Sequence, residues 1–298
     1  MIRSNGSKFE IHKDPIYFRE TVISTAQKSG FLPNLIEKDY YCSLILNYLF
    51  QDSNTNLVFK GGTCLSKAHA NFYRMSEDLD FIIPIEPQVS KNVRKQLIRP
   101  IKEQLAKLIE ENQCFNVYDE FRGFNESRQY IGIFNYNSVI ESDNKLGTIK
   151  IEIGMREELI KKANWMQTST LLIDPFRETE VILKFKTQCL TIEELYSEKF
   201  RAALSRKEPA IRDFYDIFYA TQNFELDFMS DNFLSIIKIK LAVPCNEPVM
   251  INPQRKKQLV SQINAELKPV LRNQDLAQFD FELVYELVEK ISKKVVFI

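Results

Sequence analysis

The chain has 298 residues, 44% of them hydrophobic and 27% charged, with forty basic residues balancing forty acidic ones. That length supports a real core in one large domain or two modest ones, and zero net charge lacks the basic footprint of a protein whose main task is gripping DNA. With His12 and His69 as the sole histidines, the composition points away from histidine bases and histidine-rich metal sites and towards carboxylates, lysines and metal ions.

The five cysteines (Cys42, Cys64, Cys114, Cys189, Cys245) are scattered and never spaced C-x-x-C. This suits a reducing cytoplasm and argues against structural zinc. The opening MIRSNGSKFEIHKD lacks an apolar leader core, and no window holds the roughly 18 apolar residues of a membrane span.

Residues 14–30 read as a helix, with Asp14 as N-cap, Pro15 in the first turn and Gly30 after the end. A second helix follows Pro33 to about residue 50, apolar on most faces and therefore packed between other elements. Residues 57–60 form a short buried strand, 64–73 a helix, and 78-DLDFIIP-84 a strand stopped by Pro84. A long amphipathic helix spans about 88 to 112. Within it Lys91, Arg94, Lys95, Arg99 and Lys102 recur at near-helical spacing, as a solvated face or a local anion-binding patch. Residues 128–139 and 147–155 alternate as half-exposed strands around a turn at 140–147, and 180–190 is a further strand candidate. From Thr191 the pattern turns helical: a capping box of Thr191 and Glu194, a break at Pro209, a helix over 211–222, then stretches over 253–273 and 279–295. The fold class is α+β: N-terminal helices, a small mixed sheet and a C-terminal helical bundle, with a division expected between residues 1–190 and 191–298.

Chemistry concentrates in 60-KGGTCLSKAHANFYRMSEDLDF-81. A strand, a Gly-Gly-Thr turn and a helix start leave backbone N–H groups free for a phosphate, and glycine lets that backbone approach closely. Gly61, Gly62 and Thr63 are thus candidate phosphate ligands. In a strand, alternate residues share a face, so Ser76, Asp78 and Asp80 form one row while Leu79 and Phe81 face a core. Adjacent carboxylates repel unless a cation sits between them, and hard oxygen ligands suit Mg2+. Glu152, on the polar face of 148-TIKIEIGM-155, joins them if its strand lies beside theirs.

These residues resemble the AbiEii/AbiGii-type toxins, a branch of the DNA polymerase β-like nucleotidyltransferases found in bacterial abortive-infection toxin–antitoxin systems. The likeness runs through the stretch 60–81, with its G-G-T…R-x-S-x-D-x-D order, then 150-KIEIG-154, 194-ELYSEKFRAALSR-206 and 212-RDFYDIF-218, with 36-IEKDYY-41 upstream. It implies that Gly61, Gly62, Thr63 and Ser76 line the nucleotide pocket and that Asp78 and Asp80 hold Mg2+, with Glu152 completing the metal site. It further implies that Lys199 contacts the triphosphate and that Asp213 is a further site carboxylate, both supplied by the 191–298 unit. Lys199 and Arg206, seven apart, would offer two cations on one helix face.

The implied activity is transfer of NMP from NTP to an RNA acceptor, with the tRNA 3′ end foremost, in the cytoplasm and beside a cognate antitoxin. Candidate RNA contacts are the Lys91–Lys107 helix and 255-RKK-257. Two other readings stand open: nucleotidyl transfer to a small hydroxyl compound, and a non-catalytic binding relative.

Overall fold

A computed structural model describes residues 10–51, 56–141 and 145–296. The first nine residues and the centre of the turn expected at 140–147 lie outside the described residues.

Local signals set the N-terminal helices. Asp14 accepts from the Tyr17 N–H, Pro15 opens α1 (Pro15–Ser29), and Gly30 closes it with φ 78°. α2 (Pro33–Leu49) is buried around most of its circumference. Its polar positions are structural clamps. The Glu37 carboxylate accepts from Ser138 Oγ and the Val139 N–H, both at 2.6 Å. Asp39 accepts from Lys67 Nζ, Thr170 Oγ1 and the Leu171 N–H, so each buried charge is partnered.

The strands are β1 (Val58–Lys60), β2 (Leu79–Ile82), β3 (Asn116–Phe124), β4 (Gln129–Asn137), β5 (Leu146–Gly154), β6 (Asn164–Thr168) and β7 (Phe185–Cys189). They form one mixed sheet in the order β3-β4-β5-β2-β1-β7-β6. β2 runs antiparallel to β1 but parallel to β5, and β1 is parallel to β7. The long helix α4 (Lys91–Glu111) is capped by Ser90, and α2 packs on it and on β5 and β7. The C-terminal helices are α5 (Ile192–Ser205), α6 (Ile211–Asn223), α7 (Asp231–Ala242), α8 (Pro253–Gln262), α9 (Asn273–Gln278) and α10 (Phe281–Val296), preceded in the chain by the short α3 (Gly61–Cys64). A continuous apolar cluster runs from Ile11 to Ile291. The class is therefore α+β as expected. No helix among the described residues is long and apolar enough to cross a membrane.

Several local expectations change. The helix placed over 64–73 begins at Gly61, continues as a π turn over Leu65–His69, and is ended by Asn71 and Phe72 at φ 43° and 57°. The strand at 180–190 is confined to Phe185–Cys189, and 253–273 is broken before α9. Thr191 caps α5, but the Glu194 carboxylate turns away to the Ile160 and Lys161 N–H groups and to Lys240, so no reciprocal box closes. The basic face of α4 is also divided. Arg94 is 2% exposed, its Nη2 donating to the Pro87 carbonyl at 2.7 Å. Arg99 pairs with Glu103, and Lys102 lies over the Phe121 and Tyr130 rings. Nor is 255-RKK-257 a patch: Arg255 is buried against the Ala203 and Arg206 carbonyls, and Lys256 pairs with Glu282.

Candidate active site

The Gly-Gly turn explains itself through its neighbours. Gly61 adopts φ 77°, and a Cβ there would overlap the Asp80 side chain, whose own Cβ would lie 2.9 Å away. A Cβ on Gly62 would meet Arg74 Nη2 at 2.5 Å and Ser76 Oγ at 2.9 Å. Both glycines thus leave room for chemistry-bearing side chains as well as giving the backbone its turn. Thr63 behaves differently from expectation. It is 2% exposed, and its hydroxyl donates to the Asp78 carbonyl at 2.5 Å. Its side chain is committed to pinning the chain before β2, which withdraws it from the cleft. Ser76 is half-buried against Gly62.

The sheet brings the carboxylates together. β2 and β5 are adjacent, with Asp80 directly opposite Glu152, while Lys60 stands opposite Asp80 on its other side. Burial, and then the charge of Glu152, push the Asp80 carboxyl up to about 6. Lys150 Nζ lies 3.5 Å from Asp78 and 3.4 Å from Glu152. Burial disfavours its charge, but Asp78 and Glu152 outweigh that and raise its pKa. Gln129 Nε2 donates to Glu152 at 2.6 Å and fixes its orientation.

The opposite wall comes from α5 and α6. Lys199 Nζ pairs with Asp213 at 2.9 Å and Asp216 at 2.8 Å. Asp216 also accepts from Tyr73 and from both Arg74 Nε and Nη2. Burial alone would raise the Asp216 carboxyl, but Arg74 and Lys199 hold it well below the usual carboxylate range. Asp213 is shared with Arg206 at 3.0 Å, and Arg206 is 51% exposed at the rim. One residue before Lys199, Glu198 lines the same cleft but pairs with Lys60 and with buried Lys240. The adjacent Glu198 and Lys199 thus anchor two separate charge networks.

The result is a cleft of about 200 Å³ lined by Gly61, Gly62, Asp78, Asp80, Glu152, Lys199 and Asp213, with Lys60, Lys150, Arg156 and Arg206 also on its walls. Sequence reasoning named the first seven. It assigned nothing to Asp216 or Arg74, although both stand inside the quoted motifs, nor to Lys60, Lys150 and Glu198. Asp78, Asp80 and Glu152 fit a hard divalent ion: a buried carboxylate faces another across the sheet, and the ammonium of Lys150 among them answers the same unbalanced charge. The three do not close a cage. Among the described residues, the His, Cys, Asp and Glu ligand atoms that all lie within 4.8 Å of one another belong to Cys64, His69 and Cys189. An open carboxylate site would leave positions for substrate oxygens.

Over residues 45–287 the chain matches the family model described as nucleotidyl transferase AbiEii toxin, type IV toxin–antitoxin system. The crystal structure of JHP933 from Helicobacter pylori is 17% identical, with alignment over 89% of this chain and 94% of that one and a TM-score of 0.51. A second H. pylori structure, of a candidate nucleotidyltransferase, is 17% identical over 87% of this chain and 95% of that one, with a TM-score of 0.49. At such identity the likeness speaks for the fold alone. No curated protein matches the chain significantly.

Proposed function

Because the chain belongs to the AbiEii nucleotidyl transferase toxin family, we propose that its cleft transfers a nucleoside monophosphate from an NTP to an RNA hydroxyl, the tRNA 3′ end foremost. The observation that carries this reading is the register of Asp80 against Glu152, facing a wall that bears Lys199 and Arg206. Carboxylates on one side and cations on the other suit a metal–triphosphate.

Asp78, Asp80 and Glu152 would hold Mg2+, which when bound supplies charge neutralisation at the triphosphate. The chain's own groups do the rest. Backbone N–H groups of the Gly61–Gly62 turn face the phosphates. Lys199, held by Asp213 and Asp216 from two sides, presents a fixed positive charge to the leaving pyrophosphate, and Arg206, paired with Asp213 at the rim, adds a second cation. The acceptor oxygen bonds to the α-phosphorus while the bond to the β-phosphate oxygen breaks, and the acceptor's proton passes to a carboxylate of the trio. Positioning and electrostatics suffice, so a site without histidine is adequate.

For the acceptor, Arg128 and Arg156 line a hollow of about 80 Å³ that adjoins the cleft and shares Lys60 and Glu152 with it. Cations beside the carboxylates favour a polyanionic acceptor over a neutral small molecule; Arg128 also pairs with exposed Glu126, a surface ion pair that an incoming phosphate would displace. The proposed setting is a bacterial toxin restrained by an antitoxin. Incubation with periodate-oxidised and native tRNA tests the acceptor: label from α-labelled NTP on native tRNA alone supports the 3′ hydroxyl. Label on small hydroxyl compounds but on neither tRNA would move the activity to that class.

A further inference from the structure

A second constellation lies behind the glycine turn. Cys64 ends α3, His69 ends the π turn that follows it, and Cys189 ends β7, where it stands in register with Phe59 of β1. The three donor atoms lie within 4.8 Å of one another. Both thiols are fully buried, and His69 Nε2 is buried without a hydrogen-bond partner. An unpartnered imidazole nitrogen against two thiols in an apolar core is costly unless something binds there.

We propose that Cys64, His69 and Cys189 form a binding site for a thiophilic divalent cation of the Zn2+ class. Two thiolates cancel the two charges of such an ion, and a neutral imidazole adds a third donor, so the loaded site is uncharged in its apolar surroundings. Zinc–sulfur and zinc–nitrogen bonds of about 2.3 and 2.0 Å require donor separations of roughly 3.3–3.8 Å, so the ligands need only a modest inward shift. Thr187 Oγ1, 3.2 Å from Cys189 Sγ, is a neutral oxygen beside the trio. His69 is partly exposed and provides a route in from the surface.

The consequence is mechanical. Bound metal ties α3, whose first residues are Gly61 and Gly62, to β7 across β1, and so braces the turn that faces the cleft without contributing to transfer. The spacing gave no hint, because Cys64 and Cys189 are 125 residues apart in a chain with no C-x-x-C.

The test uses the full chain carrying Asp78→Asn and Asp80→Asn, which removes the carboxylate centre as a competing site. Titration with Co2+ should give a stoichiometric thiolate-to-cobalt charge-transfer band, displaced by Zn2+, together with a rise in melting temperature on Zn2+ addition. Adding Cys189→Ser, or the gentler His69→Gln where the serine variant fails to fold, should weaken binding more than ~10-fold. No charge-transfer band in the folded protein, or a band that survives His69→Gln at full affinity, would overturn the assignment. None of these readouts depends on nucleotidyl transfer, so failure here leaves the reading of the cleft untouched, and the reverse holds.

Discussion

Lys199 and Asp216 are joined at 2.8 Å at the base of the cleft, the lysine 12% exposed and the aspartate fully buried. The aspartate simultaneously holds Arg74, so one carboxylate fixes the cation that lines the cleft and the arginine that packs on Gly62. This makes Asp216 a positioning residue of structural weight.

Asp216→Asn strands Arg74 and Lys199 in the interior with less compensating charge. A loss of about 3–5 kcal/mol is expected from urea denaturation. Lys199→Met should cost far less, about 1–2 kcal/mol, because Asp213 keeps Arg206 and Asp216 keeps Arg74. That variant should nonetheless lose more than ~100-fold in transfer rate, since the charge aimed at the developing phosphate charge is gone.

Asp80 sets a pH dependence with a definite sign. Its folded carboxyl titrates at about 6, above its ordinary 3.8, so folding favours the protonated form. Without divalent ions, the Asp80 contribution to stability should be fullest below about pH 4 and be lost as pH rises through about 6, opposite in sign to Asp213 and Asp216, whose lowered carboxyls lose their contribution as pH falls. Asp80→Asn should flatten that decline and stabilise the neutral-pH protein by roughly 1–2 kcal/mol while abolishing activity. Melting curves in chelator against pH provide the check, and added Mg2+ should raise the melting temperature of the unsubstituted protein alone.

Gly62→Ala drives a methyl against Arg74 Nη2 and Ser76 Oγ. The guanidinium must shift off Asp216, with an expected cost of about 1–3 kcal/mol and a parallel fall in activity. Urea denaturation beside the transfer assay provides the check, and an unchanged midpoint would show that the guanidinium yields without leaving Asp216.

How far the sequence could be read follows from the range of each interaction. The Asp78–Asp80 row, the Glu152 strand and the caps at Asp14 and Thr191 are local patterns, and all are visible by period or position. β3 is not: it forms the sheet edge, eight of its nine residues are exposed, and no burial period marks it. β6 and α7 went unread for similar reasons, one short and the other lacking a polar stripe. The basic face of α4 is solvated at Lys91, Lys95, Arg99 and Lys102 as its spacing suggested, but Arg94 keeps the same spacing and points inward to the Pro87 carbonyl. The roles of Asp216 and Arg74 depend on a pairing 142 residues apart, beyond any local signal. Thr63 looked like a phosphate ligand until its hydroxyl was seen on the Asp78 carbonyl.

The proposed RNA-facing surface can be tested by charge removal. Arg128→Ala with Arg156→Ala should weaken tRNA binding and reduce the slope of log affinity against log salt by about 1–2. Lys95→Glu on α4 should leave both unchanged. A filter-binding series across salt concentrations distinguishes the two faces.

The most direct measurement is transfer itself. Purified protein, bacterial tRNA, Mg2+ and each of the four α-labelled NTPs are incubated in parallel with the Asp80→Asn variant, and the RNA is resolved on a denaturing gel. Label is expected on tRNA with the unsubstituted protein, at the 3′ end, and none with the variant. Equal labelling by the two proteins would show that Asp80 and its partner Glu152 are not the centre of the chemistry.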